Sequence, residues 1–585
     1  MPFRIYLLLL LLLALSCQEP PGPVPDDRIN DYALYDSAGG FHRFSRYNNK
    51  KALVLFVQGN GCPIVRNYLS DLKEIVNTYR PKDVEFFMVN SNVQDISETV
   101  QLEVESYGIE IPVLMDQYQI LADKLDIHIT AEVIILHPVT REILYRGPVS
   151  DRLDYEVQKD QASKNYLKEA LDGILQGKEV SSMPKAVKGC KVTRRTKFER
   201  NDSLNYTDDI APILRDYCVR CHREGGMAPW AMTDYQTIVG WSDMMEQVLL
   251  SRRMPPWKAD PKIGHFSNSF AMPDDARRKV LNWINNGLEA GIGDDPLINA
   301  SAAEEGWSMG EPDKIIQLKQ EELPATGVIP YRYQTVVLKD TVDRWVSAID
   351  VKPGNAQVVH HIVIVNEAVK REESIVNRDF LPWNDDFLAI STGAGTLNKF
   401  PEGTGIFLPK NSTWSIQIHY TPIGKPDKDQ TAIGIYYHQS PPQREYLSLS
   451  PTRRDIIIPP YTDEVQWTAR DTVRKDILIH ALGPHMHYRG KRARFDVIRP
   501  NGVTETVVSI PDYDFNWQYK YELASPMLVP KGSVLQFTGV YDNTYQNPLN
   551  PDPSKKVAFG LQSLDEMLIG FMNYTLVEKD TLTIN

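Results

Sequence analysis

The sequence predicts a multidomain protein: an α/β unit first, then an α-helical unit, then two all-β sandwiches. Three observations predict it. The chain has 585 residues, room for about three or four domains of ordinary size. Strand-like and helix-like apolar runs alternate up to about residue 195. Beyond about residue 300 the helical period disappears, and short alternating runs broken by Pro and Gly replace it. Hydrophobic residues make up 42%, enough for several cores, and the net charge is -12. With no strongly basic stretch, nucleic acid is not an expected partner.

At the amino end, Arg4 precedes an apolar run over residues 5–15, followed by Ser16 and Cys17. Charge, apolar run and small residues in that order form an export signal. The run is too short to span a bilayer comfortably. Its ending resembles a bacterial lipoprotein signal, with Ala14 where Leu is usual. That resemblance implies a signal over 1–17, lipidation of Cys17 and a tether over 18–27. It makes the protein exported, periplasmic or anchored at the outer membrane by its lipid. An ordinary cleaved signal is the alternative.

The α/β unit spans 28–195. Residues 52–57 form a buried apolar strand. Ile64, Tyr68, Leu72, Ile75 and Tyr79 recur at helical spacing over 64–79, and residues 84–90 and 133–136 are further strands. Cys62 lies between the first strand and the helix, with Pro63 suited to the helix's first turn. A helix amino terminus stabilises a thiolate, so Cys62 is a candidate redox thiol. The segment resembles the thioredoxin and peroxiredoxin superfamily. Two positions depart from thioredoxin: Val65 replaces its second cysteine, and Ala131 stands where its cis-proline is expected. Cys190 is a candidate partner if the chain folds back, either resolving Cys62 or bridging it structurally.

The helical unit spans 200–297. Asp274 and Asp275 open a run with Val280, Leu281, Ile284 and Leu288 on one face. Cys218-Val219-Arg220-Cys221-His222 is a C-x-x-C-H motif, in which two thioethers hold a haem and His222 ligates its iron. A zinc ribbon needs a second cysteine pair, and the five cysteines end at Cys221. The segment resembles monohaem cytochrome c domains. Met254 is the expected sixth ligand and Met272 the alternative.

The β region divides at a break over 451–460 into sandwiches spanning 298–455 and 456–585. Seven of the twelve histidines fall between 360 and 487. His360 and His361 are neighbours in a strand-like run, and neighbouring strand side chains point to opposite faces. Both can serve one ion only at a bulge or a strand end. His419 supplies a third imidazole, a donor set suited to copper, zinc or iron. His485 and His487, two apart, share a strand face. Met567, in Asp565-Glu566-Met567, offers a soft thioether that favours Cu(I).

This order of motifs resembles the type II copper monooxygenases that use ascorbate, the peptidylglycine and dopamine hydroxylating enzymes. The resemblance implies two jelly-roll sandwiches, with two coppers facing each other across a solvent cleft. His360, His361 and His419 would hold the electron-transferring copper. His485, His487 and Met567 would hold the copper that activates O2 and hydroxylates a C–H bond. Gly483, Ile569 and Phe571 replace the residues that grip a peptide carboxylate, so the substrate is a different, unidentified one. His438 and His480 match no ligand position and are expected to be structural. The upstream haem c is the expected relay of single electrons from an unidentified donor to the three-histidine copper. Two alternatives are a copper-storing lipoprotein without turnover and a thiol peroxidase centred on Cys62.

Overall fold

The structure is a computed structural model. It describes residues 29–153, 159, 161–178, 180, 187–195, 203–298, 300, 306–367, 376–378, 387–392 and 397–577. The signal, the tether and Cys17 lie outside the described residues. No helix among the described residues is long and apolar enough to cross a membrane.

The α/β unit is a five-stranded sheet. Its order is Val113–Met115, Val84–Asn90, Ala52–Gln58, Glu132–Leu136, Ile143–Pro148. The first three strands run parallel, and the last two are antiparallel to their neighbours. Every residue of Ala52–Gln58 is buried, because both faces of the sheet are covered. Helix Pro63–Tyr79 covers one face, burying Ile64, Val65, Tyr68, Leu72, Ile75, Val76 and Tyr79. Ala52, Val54 and Phe56 pack on that side. Leu53, Leu55 and Val57 point the other way, as strand alternation requires. They belong to a core that continues into the helical unit, through Tyr206, Ile210, Leu214, Val280, Leu281 and Trp283. The helical unit therefore shares its core with the sheet, and the expected boundary at 195–200 is a boundary of pattern rather than of packing. Its main helices are Ala211–Tyr217, Tyr235–Gly240, Ser242–Leu250 and Asp274–Asn285.

Two sandwiches follow. In the first, strands Arg332–Val337, Thr413–Tyr420, Val359–Asn366 and Phe387–Thr392 form one sheet. It packs through Ile364, Trp414 and Ile416 on Val346, Ile349 and Ile435 of a second sheet built on Arg344–Lys352. In the second sandwich, one sheet is ordered Leu447–Leu449, Ile569–Leu576, Ile477–His485, Tyr521–Val529. The opposing sheet contains Val465–Val473, Val534–Tyr541, Gly490–Ile498 and Thr504–Ile510. The expected division at 455 is displaced. Leu447–Leu449 already pairs with Ile569–Leu576, so the proline-rich 451–460 stretch, with its short strand Ile457–Ile458, lies inside the second sandwich. Conversely, Val376–Arg378 crosses to pair with Val465–Val473. The two sandwiches meet at an apolar seam of Phe387, Met567, Ile569 and Phe571.

Candidate functional site

The three-histidine group forms where strand Val359–Asn366 pairs with Thr413–Tyr420. His361 lies opposite His419, and the register slips between Val359 and His361. His360 is the extra residue of a bulge, the condition needed for neighbouring strand residues to converge. The ring centroids are 5.3 Å apart for His360–His361, 4.8 Å for His360–His419 and 5.0 Å for His361–His419. One donor atom from each lies within 4.8 Å of the others. Nε2 of His360 and Nδ1 of His419 are buried without a hydrogen-bond partner. Leaving a buried polar atom unpaired costs about 1–3 kcal/mol, and a metal ion would satisfy these atoms. Burial pushes His360 down to about 4 and His419 to about 3. His361 falls well below the usual range, through burial and then repulsion from His419 and His360. All three are therefore neutral near pH 7, the ligating form.

His485 ends strand Ile477–His485, and its ring centroid lies 5.2 Å from that of His487. The Nδ1–H of His485 donates to Oε1 of Gln518. Nδ1 of His487 faces the Asp565 carbonyl at 3.2 Å, and its Nε2 is buried without a partner. These contacts leave Nε2 of each ring free to ligate. Met567 is 4% exposed and lines the same cavity of about 210 Å³ as His361 and His485. This donor set of neutral imidazoles and a thioether fits a soft first-row metal.

Three residues given no role in the sequence analysis organise this pocket. Glu566 is fully buried and accepts backbone N–H bonds from His487 (2.9 Å), Arg489 (2.6 Å) and Met567 (3.3 Å). It ties the His-x-His turn to the methionine, and burial pushes it up to about 7 despite those bonds. Phe515 contacts His360 at 5.6 Å and both His419 and His487 at 5.8 Å. Tyr331 likewise contacts His361, His419 and His487. The resemblance implied metals facing each other across solvent. Here the rings of Phe515 and Tyr331 pack against histidines of both groups, and His361, His419 and His487 are all buried. Gly483, Ile569 and Phe571 do line the cavity, and so does Lys520, which sequence reasoning passed over. The Lys520 charge is already met by Glu522 at 3.0 Å. His438 bonds the Thr404 carbonyl and His480 the Thr575 hydroxyl, consistent with structural roles.

Cys62 caps helix Pro63–Tyr79 from an extended conformation. The chain does fold back: Ile129 bridges Lys191, Thr130 and Cys190 exchange hydrogen bonds, and Cys62 Sγ lies 3.2 Å from the Thr130 hydroxyl. Gly189 permits this, since a Cβ there would lie 1.9 Å from the Thr130 carbonyl oxygen. Ala131, at the cis-proline position, adopts φ 60°, a left-handed conformation uncommon for alanine. Both thiols are free. Burial pushes Cys62 up, but hydrogen bonds from Cys190, Thr130 and nearby backbone outweigh it and lower the thiol overall. Burial and the Cys62 neighbour push Cys190 up to about 11. The pair is thus asymmetric, with Cys62 the more acidic thiol.

At the C-x-x-C-H motif, Nδ1 of His222 faces the Trp230 carbonyl at 3.0 Å, leaving Nε2 for iron. Both cysteines are free, and burial pushes Cys218 up to about 12. These residues fit a covalent haem at the motif itself. Cys218 and Trp230 pack on the core that contains Met232, Met245 and Met272. Met254 is half-buried and lies outside that core. The structure gives no contact that brings Met254 to His222.

Residues 25–146 match the model of the AhpC/TSA family. That match covers the thioredoxin-like domain around Cys62. Among solved structures, the chain is similar to a hypothetical protein of Sinorhizobium meliloti 1021 (24% identity, 29% of this chain and 93% of that one, TM-score 0.27). It is also similar to an uncharacterized conserved protein of Geobacillus kaustophilus (26%, 29% and 92%, TM-score 0.27). A third similar structure is a peroxidoxin of Mycobacterium tuberculosis (13%, 26% and 94%, TM-score 0.21). No curated protein matches the chain. The chain thus carries an AhpC/TSA, thioredoxin-like domain ahead of a large β-rich region.

Proposed function

We propose that the protein is an oxidoreductase whose main chemistry is hydroxylation of a C–H bond at a two-copper pocket between the sandwiches. The observation that carries this reading is the set of buried, neutral and unpartnered imidazole nitrogens. They sit at one strand bulge and, beyond Phe515, beside His487. His360, His361 and His419 would hold one copper, and His485, His487 and Met567 the other. Bound there, copper would supply one-electron chemistry and O2 activation, and a haem held by Cys218, Cys221 and His222 would supply single electrons. The chain's own residues keep the imidazoles neutral, exclude water with Phe515 and Tyr331, and brace Met567 through Glu566. The walls near Met567 are apolar: Val363, Val365, Ile390, Ile569 and Phe571. They suit a compact, mainly apolar substrate. The export signal and lipid anchor expected from residues 1–17 belong to this proposal.

A second reading has its own support: a thiol peroxidase centred on Cys62. The comparisons favour this one, since the AhpC/TSA match covers Cys62, and Cys190 stands ready beside it. One experiment separates the two. Copper-loaded full-length protein is reduced without air, then given O2 and candidate substrates, or peroxide. Oxygen uptake coupled to hydroxylated product, lost in Met567→Ala and kept in Cys62→Ser, upholds the copper reading. Peroxide reduction lost in Cys62→Ser and kept in Met567→Ala upholds the thiol reading. Copper bound without either activity leaves a storage protein.

A further inference from the structure

The loop over 511–520, between strands Thr504–Ile510 and Tyr521–Val529, contacts both histidine groups and two other parts of the chain. Asp512 is buried and receives Lys258 at 2.9 Å and Arg43 at 2.8 Å, with Arg46 also paired to it. Tyr513 is bonded to the backbone of Met486, between the two ligand histidines, donating to its carbonyl at 2.7 Å and accepting its N–H at 2.9 Å. Phe515 sits against His360, His419 and His487. Gln518 accepts from His485 and donates to the Phe515 carbonyl at 2.9 Å. Tyr519 packs on Trp257 at 6.2 Å and on Phe270 at 5.1 Å. Phe270 in turn carries the Arg220 guanidinium at 4.6 Å, inside the C-x-x-C-H motif.

The helical unit holds the loop from outside. Asp260 N–H bonds the Ser509 carbonyl at 2.8 Å, and the Asn268 side chain bonds the Lys520 carbonyl at 2.7 Å. Phe266 bridges Leu523. A glutamine carbonyl on Nδ1–H of a ligand imidazole fixes the ring's tautomer and rotation, and such partners govern metal affinity. Side chains packed on both sides let a shift at Trp257 move Gln518.

We propose that the 511–520 loop is a strap through which the helical unit sets the metal pocket, with Gln518 as the positioning residue for His485. This rests on the two-copper reading. The strap makes the geometry at His485 depend on the docking of residues 257–270, and so on the segment that carries the haem motif.

The test uses full-length, copper-loaded protein, with Cu(I) affinity by chelator competition, Cu(II) electron paramagnetic resonance, and metal-free hydrogen exchange. Gln518→Leu should weaken one of two copper sites by about tenfold or more and change one of two Cu(II) spectra. Gln518→Glu, which keeps the acceptor for His485 but loses the donor to the Phe515 carbonyl, should restore the affinity in part. Trp257→Leu should change the same spectrum in part and speed amide exchange over 511–524 in metal-free protein. Unchanged affinity and spectra in Gln518→Leu, or unchanged exchange and spectra in Trp257→Leu, overturn the strap. If wild-type protein binds no more copper than His485→Ala, the two-copper reading fails instead, and the proposal with it.

Discussion

Replacing Asp512 by leucine should destabilise the protein by about 3–5 kcal/mol, the cost of breaking a buried ion pair from one side. The figure follows from which cation is stranded. The Lys258 side chain is 5% exposed, and Asp512 is its ion-pair partner. Arg43 and Arg46 are 15% and 24% exposed, and Arg43 also bonds the Ser251 carbonyl, so both retain partners in protein or water. Arg46→Ala should therefore cost far less than Asp512→Leu. Adding Lys258→Met to Asp512→Leu should recover most of the loss, because two apolar groups can replace a buried pair at little cost. The dependence on pH has a definite sign. Burial alone would raise Asp512, but Lys258, Arg46 and Arg43 outweigh it and hold the carboxyl well below its usual range. Its contribution is thus complete above about pH 4, the unfolded value, and is lost as pH falls toward the folded value. Urea unfolding followed by tryptophan fluorescence, at pH 7 and at pH 3, measures both effects. A single-variant loss under about 1 kcal/mol at pH 7 would refute the claim that Lys258 depends on Asp512.

Three further predictions follow from individual contacts. Gly189→Ala places a methyl on the Thr130 carbonyl and must displace Cys190. Iodoacetamide should then alkylate Cys62 more slowly at neutral pH as its thiol becomes less acidic; an unchanged rate counts against Cys190 as the stabilising neighbour. His419→Ala should lower bound copper, measured by mass spectrometry, by about one ion per chain, and undiminished binding would remove the three-histidine site. Glu566→Leu strands the N–H groups of His487, Arg489 and Met567, at about 1–3 kcal/mol for each that water cannot reach. Glu566→Gln should cost less in urea unfolding, and equal costs would show that packing rather than hydrogen bonding decides.

Much of the amino-terminal domain is legible because its patterns are local. The strand over 52–57 and the helix over 64–79 declare themselves by period, and the structure extends each by one residue. The His360–His361 pair is legible as a condition, since converging neighbours require a bulge, and the register slip supplies it. What escapes is long-range. Lys258 and Asp512 lie 254 positions apart, and no spacing rule joins them. The amphipathic helices announce an apolar face without naming what covers it, so the core shared with the five-stranded sheet was invisible. The 511–520 loop has no period at all, and its aromatic residues resemble ordinary core until their partners are known. Glu566 was read only as part of a motif, because a buried carboxylate that accepts three backbone bonds cannot be told from a surface one by sequence.

The aromatic packing against the histidine groups bears on how the pocket can work. Phe515 and Tyr331 pack against histidines of both groups, and the cavity that reaches both His361 and His485 is lined by Met567, Ile569 and Phe571. On the two-copper reading, a substrate in that cavity would lie against the thioether side, where the apolar walls are. Lys520, which lines the cavity, is already paired with Glu522. It offers an anionic group little net attraction. On the two-copper reading, shape and apolar contact at Val363, Val365, Ile390, Ile569 and Phe571 would contribute to selectivity. The same closed packing puts a constraint on any motion. Separating the histidine groups would require moving Phe515, and Phe515 belongs to the loop that Asp512 anchors to Lys258, Arg43 and Arg46.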